Sequence, residues 1–201
     1  ILCAGIGSAQ SLGFSDSQPI ARYDARDSGG IQERIPVVAT DGGGTWITVW
    51  PSQFDTGGTG SDFDILMSRS TDAGATWSSP MVLNSEAFSD TWENLEAVIA
   101  TNGMGTWIAV WDANLTGTGS DSDIAFSRST DDGVTWNSSA TLNSNAIADT
   151  NASGSWLELV YGGAGTWVAH WVDASTPAGP LAGDLNILYS RSIDDGATWS
   201  P

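Results

Sequence analysis

The octapeptide STDAGATW (Ser70 to Trp77) returns as STDDGVTW (Ser129 to Trp136) and again as SIDDGATW (Ser192 to Trp199). Each copy carries hydroxyls and one or two carboxylates, the groups that acid–base chemistry uses. A catalytic carboxylate in three copies would need three substrate sites, each with its own acid or base partner at hydrogen-bonding range, and no such partner repeats. A tight turn needs the same residue types. Aspartate accepts from nearby backbone N–H groups, glycine takes φ > 0 without a Cβ clash, and serine and threonine hydroxyls bond backbone. An indole can fold back and cover the corner with apolar area. The octapeptide therefore reads as a structural fastener made of Ser70, Asp72, Gly74, Thr76 and Trp77, then Ser129, Asp131, Gly133, Thr135 and Trp136, then Ser192, Asp194, Gly196, Thr198 and Trp199.

Other groups with chemical potential are fewer. GSDFD (Gly60 to Asp64) and GSDSD (Gly119 to Asp123) place oxygen ligands on loops, as calcium prefers, without the spacing of an EF-hand; solvated turn acids are the competing reading. No cofactor is otherwise expected. The lone His170 stands where Val49 and Val110 stand in sister segments and makes no metal site by itself. A single Cys3 permits no internal disulfide and no zinc site of paired cysteines.

The elements that carry these groups form a repeat. Asp72, Asp131 and Asp194 are separated by 131−72 = 59 and 194−131 = 63 residues. GGTWITVW, MGTWIAVW and AGTWVAHW recur, as do DILMSRS, DIAFSRS and NILYSRS. Each unit predicts a strand near Pro36 to Ala39, a turn at Gly42 to Gly44, a Trp-bearing strand, a Gly/Ser/Asp loop, a third strand, the octapeptide and a short last strand. Four-stranded units in tandem point to an all-β fold, a partial β-propeller of about three antiparallel blades, with units near 19–79, 80–138 and 139–201. In WITVW, Trp46, Thr48 and Trp50 point one way and Ile47 and Val49 the other, as a strand buried between two sheets requires. Nine of the 11 tryptophans hold repeat positions and are expected in the core; Trp92 and Trp156 fall outside the pattern and are candidates for a surface role.

Composition narrows the partners. The chain has 201 residues, 40% of them hydrophobic, enough to bury a core, and 24 acidic side chains against 6 basic ones, all arginine. A formal charge of −18 repels phosphate backbones and anionic headgroups, so nucleic acid and bare anionic membrane are poor partners. An acidic, lysine-free surface fits a secreted, cell-surface or salt-adapted protein. No run approaches the roughly 18 apolar residues of a membrane-spanning helix. ILCAGIGSAQ reads either as the tail of a signal peptide or as a hydrophobic strand within residues 1–18. Pro19 to Val38 aligns with Pro80 to Ile99 without a gap, so the N-terminal stretch supplies a last-strand equivalent.

S-x-D-x-G-x-T-W resembles the Asp-box, or BNR repeat, of the sialidase-like β-propellers, and the likeness runs from Ile31 to Trp199. That resemblance implies a ring of six blades, so further blades of the same chain are expected. The two end blades of the isolated chain should then expose apolar faces and associate. In sialidases of this kind three arginines hold the substrate carboxylate, the first in a motif ending Arg-Ile-Pro. ERIP, Glu33 to Pro36, is similar and makes Arg34 a candidate; a planar guanidinium suits that task, and a surface ion pair is the alternative. A second arginine would follow the next strand, where Pro51, Ser52 and Gln53 offer no cation. The family's acid would fall among Asp55, Asp62 and Asp64; Asp62 is the candidate, although Asp121 occupies the same place in the second unit. The family's tyrosine nucleophile and its glutamate come from later blades, and Tyr161 and Tyr189 match no such motif. Arg69, Arg128 and Arg191 precede the octapeptides and are repeat features rather than the missing cations. The resemblance implies a glycan- or protein-binding propeller or scaffold without demonstrable catalysis, with a glycan or sialoside as ligand. Its alternative is an exo-sialidase releasing terminal sialic acids.

Overall fold

A computed structural model describes residues 17–20, 30–115, 122–143, 153–173 and 185–200. Residues 1–16, with most of the ILCAGIGSAQ question, lie outside the described residues, as does Asp121. Every regular element among the described residues is a strand. The first sheet runs β1 (Val37–Thr40), β2 (Trp46–Ser52), β3 (Asp64–Ser70) and β4 (Met81–Val82) in that spatial order. The second repeats it with β5 (Leu95–Thr101), β6 (Trp107–Ala113), β7 (Asp123–Ser129) and β8 (Ala140–Thr141). Among the described residues, the third holds β9 (Ser153–Gly163), β10 (Thr166–Asp173) and β11 (Asn186–Ser192).

All pairings are antiparallel, and equivalent residues share one register: Val49 faces Met67, Val110 faces Phe126 and His170 faces Tyr189. A period-two strand covered on both faces needs apolar side chains on both. Ile47, Val49, Ile65 and Met67 of the first sheet pack with Ala97, Ile99, Trp107, Ala109 and Trp111 of the second. The second sheet turns Ile108, Val110, Ile124 and Phe126 onto Leu157, Leu159, Trp167, Ala169 and Trp171 of the third. Each large side chain so enclosed contributes about 1.5–3 kcal/mol, so these two junctions are the core.

The strand tryptophans Trp50, Trp107, Trp111, Trp167 and Trp171 are buried, and Trp46 and the three octapeptide tryptophans are half-buried. Trp92 and Trp156, outside the repeat pattern, are 48% and 69% exposed. Each SRS segment also buries its first serine: Ser68, Ser127 and Ser190 donate to the carbonyl oxygens of Ser78, Asn137 and Ser200. That bond draws the chain back alongside the strand after the octapeptide has turned it.

Candidate functional site

In the first octapeptide, Asp72 Oδ1 accepts from Ser70 Oγ at 2.7 Å and from the Thr76 backbone N–H at 2.8 Å, and Oδ2 accepts from Thr76 Oγ1 at 2.6 Å. Asp131 receives the same three bonds from Ser129 and Thr135 at 2.7, 2.9 and 2.6 Å. Asp194 receives them from Ser192 and Thr198 at 2.7, 2.9 and 2.6 Å. The hydroxyls thus bond the carboxylate as well as backbone, the partner the sequence reading expected, because a charged acceptor makes the stronger bond. Ser70 Oγ in turn accepts from the Gly74 N–H at 3.0 Å. The threonine and serine hydrogen bonds hold each of these carboxyls down at about 2. A group that stays ionised at neutral pH, with its lone pairs taken by its own turn, has no proton to deliver.

The sequence reading missed two features of the corner. Ala73, Asp132 and Asp195 adopt φ of 58°, 61° and 61°, so two successive residues, not glycine alone, are left-handed. The corners also reach across sheets. Arg69 Nε donates to the carbonyl oxygen of Asp132 at 2.7 Å, and Arg128 Nε to that of Asp195 at 2.8 Å. A Cβ on Gly133 would overlap Ile47 Cδ1, and one on Gly196 would overlap Ile108 Cδ1. Asp195 further accepts from Thr106 Oγ1 at 2.7 Å and from Trp167 Nε1 at 3.1 Å.

A different arrangement surrounds Arg34. Its backbone N–H donates to Pro51 O at 3.0 Å, which continues the β1 line alongside the end of β2. Its exposed guanidinium carbon sits 4.0 Å above the centroid of the Phe63 ring. Phe63 is buried, and its carbonyl accepts from the Asn94 N–H at 2.7 Å, which ties its backbone to the segment that leads into β5. Ring and cation attract through the aromatic quadrupole, leaving the guanidinium edge available to an anion. Where a second arginine would stand, Pro51 and Ser52 are buried, and Ser52 Oγ donates to Glu33 Oε1 at 3.0 Å.

The three loop aspartates separate by role. Asp55 Oδ1 accepts from the backbone N–H groups of Gly57 and Thr59 at 2.9 and 3.1 Å, and these bonds, with one from Gly58, hold its carboxyl below the ordinary value. It shapes its loop. Asp64 Oδ1 accepts from Asn84 Nδ2 at 3.0 Å while Asn84 Oδ1 takes the Ile65 N–H at 2.9 Å. Asn143 repeats both contacts with Asp123 and Ile124 at 2.8 and 2.9 Å, so this pair is a second structural device of the repeat. Asp62 has neither assignment and is the chain neighbour of Phe63.

Carboxylate oxygens of Asp62, Asp64 and Asp90 lie within 4.8 Å of one another. Asp62 Oδ2, Glu86 Oε1 and both oxygens of Asp90 are shut from solvent with no hydrogen-bond donor. Burial first, then the charges of Asp62, Asp90 and Glu86, push Asp64 up to about 7. Burial and the charges of Glu86 and Asp62 push Asp90 to about 6. Asp64 and Asp90 thus keep their protons to higher pH than ordinary carboxylates, and the all-oxygen donor set is of the kind calcium takes.

Arg34 lies over the Phe63 ring, and Asp62, the preceding residue in the chain, has its carboxylate with those of Asp64 and Asp90. The octapeptide aspartates lie apart from them, on the β3–β4 and β7–β8 connections and after β11. The Tyr161 ring is tilted by 49° against that of Trp167 with centroids 4.9 Å apart, and Tyr189 is exposed on the outer face of the third sheet.

No protein-family model and no curated protein matches the chain. Among solved structures, a Hadza microbial sialidase is similar over 83% of this chain and 36% of its own, at 20% identity and a TM-score of 0.57. A Trypanosoma rangeli sialidase in complex with sialic acid is similar over 84% of this chain and 30% of its own, at 20% identity and a TM-score of 0.55. A Dyadobacter fermentans protein of unknown function is similar over 85% of this chain and 54% of its own, at 16% identity and a TM-score of 0.58. The chain spans about a third of the length of the first two. Stacked antiparallel sheets, corners repeated at sheet spacing and these likenesses together give the chain part of a sialidase-like β-propeller fold.

Proposed function

We propose that this chain is part of a secreted, Asp-box-bearing sialidase-like propeller that binds glycans through the surface around Arg34 without hydrolysing them. The observation that carries the reading is Arg34 displayed on the Phe63 ring with its guanidinium exposed. An acidic sugar offers the carboxylate that such a fork takes in two hydrogen bonds. The missing second cation at Pro51 to Gln53 and the surrounding acids argue against the tight, oriented grip that catalysis requires. Secretion is supported by the acidic, lysine-free composition.

A second reading, an exo-sialidase, is favoured by Asp62 standing next in the chain to Phe63, the ring on which Arg34 rests. Titration with sialyllactose and with neutral lactose, followed by tryptophan fluorescence, tests the first reading: sialoside binding that Arg34→Ala abolishes supports it. Release of the fluorophore from a fluorogenic sialoside, lost in Arg34→Ala, would replace it with the second.

A further inference from the structure

Among the described residues six that are not glycine have left-handed φ; three belong to the octapeptides and Ala164 to the turn between β9 and β10. The other two, Glu96 at 49° and Trp156 at 55°, lie inside strands, where no turn calls for that conformation. They hold one place in two sheets: two residues later Val98 faces Val110 and Glu158 faces His170, and the pairing is irregular at both. Such an irregularity re-aims a side chain. Here Glu96 Oε2 accepts from the Trp156 backbone N–H at 2.7 Å, a bond from the second sheet to the third.

A half-buried carboxyl stands beside that bond. Asp112 faces Leu95 in the register and alternates with Trp111 and Ala113, so it shares the face of Ile108 and Val110 that packs on the third sheet. Its Oδ1 is shut from solvent with no hydrogen-bond partner. The sister sheets have Pro51 and Val172 at this position, so the strand forms without an acid there. The charges acting on Asp112 are both acidic, Glu96 from β5 and Asp123 from β7, and the Ser122 hydroxyl is its donor. Arg34 before β1, Asp64 on β3 and Asp173 on β10 stand at the same end of the adjoining sheets. Burial first, then the charges of Glu96 and Asp123 against the Ser122 bond, push Asp112 up to about 7.

We propose that Asp112 is a pH switch for the contact that Glu96 makes between the second and third sheets. While Asp112 is neutral, Glu96 keeps the Trp156 N–H. When Asp112 releases its proton to solvent, two carboxylates face each other where little water screens them, and the Glu96 side chain swings outward and gives up that N–H. Glu96 and Trp156 then relax towards ordinary strand φ, and the start of β9, with the Trp156 indole, loosens from β5. The switch needs no ligand and holds whether or not Arg34 binds a glycan.

The Trp156 amide proton, followed by nuclear magnetic resonance in the 201-residue chain from pH 5 to 8.5, tests this. In the wild type it is expected at the large shift of a bonded proton in acid and to move to smaller shift with a midpoint near 7. Asp112→Asn and Glu96→Gln each remove one charge and leave an acceptor at position 96, and both are expected to hold the acid position throughout. Glu96→Ala is expected to hold the alkaline position throughout. Glu96→Gln is also expected to lower the midpoint at which the Asp112 side-chain carboxyl carbon titrates, since a neighbouring charge is gone. Amide shifts of β2, β6 and β10 that match the wild type confirm the fold of each variant. A wild-type Trp156 amide that does not move over this range, or one that still moves in Asp112→Asn or Glu96→Gln, overturns the proposal.

Discussion

Arg69 Nε donates to the carbonyl oxygen of Asp132 at 2.7 Å, so the residue preceding one octapeptide holds the backbone of the next, 63 positions along the chain. Arg128 and Asp195 repeat the bond at 2.8 Å. A guanidinium meeting a carbonyl across a junction makes a charge-assisted bond worth about 1.5–3 kcal/mol when partly buried. Arg69→Met keeps the apolar stem and removes the donor. It is expected to destabilise the chain by about 1–2 kcal/mol in urea denaturation, and an unchanged midpoint would show that the bond contributes nothing.

Gly133 combines φ of 77° with the Ile47 Cδ1 methyl in the space a Cβ would take. Gly133→Ala should therefore cost about 1–3 kcal/mol, from backbone strain and overpacking together. Ile47→Val removes the offending methyl, and the double variant should lose less than the sum of the two single losses. Strict additivity in the four-member cycle would mean that strain at φ alone sets the cost.

Stability should be greatest near pH 4 to 5, where two groups of carboxylates meet. Asp72, Asp131 and Asp194, held at about 2 by their hydroxyl and backbone donors, favour the folded state above the unfolded value of 3.8. That contribution disappears as pH falls from about 4 to 2. Asp64 and Asp112, raised by burial to about 7, and Asp90, raised to about 6, bind protons in the folded state that the unfolded chain has already released. Stability therefore falls as pH rises from about 4 to 7. Urea midpoints from pH 2 to 8 check both limbs, and a curve rising steadily to neutral pH would contradict the second.

Asp90→Asn removes one charge from the cluster with Asp62 and Glu86 and should raise the midpoint at pH 7.5 while flattening the alkaline limb. Calcium and chelator are expected to give the same midpoint. A calcium-dependent rise that Asp90→Asn abolishes would make the cluster a cation site instead.

The repeat, the strands and the octapeptide turns were legible because each depends on local residue type. Glycine and aspartate mark the corners, alternating Trp, Ile and Val mark strands covered on two faces, and equal spacing marks the units. The Arg69 bond was not legible, since its acceptor is a backbone carbonyl with no side-chain signature. Asn84 with Asp64 was half visible: both asparagines recur after VL or TL, yet only the antiparallel return of β4 brings them to an aspartate 20 positions earlier. The acid cluster was hidden for the same reason, because Asp90 lies beyond β4 and joins Asp62 only through packing. Arg34 was found by its motif, while its seat on Phe63 follows from the line of β1 past β2.

The three octapeptide carboxylates serve the fold rather than a ligand. The most direct measurement compares Asp131→Ala with the wild type in thermal unfolding and in sialyllactose titration. The account predicts a midpoint several degrees lower and an unaltered titration. An unaltered midpoint with altered titration would contradict it.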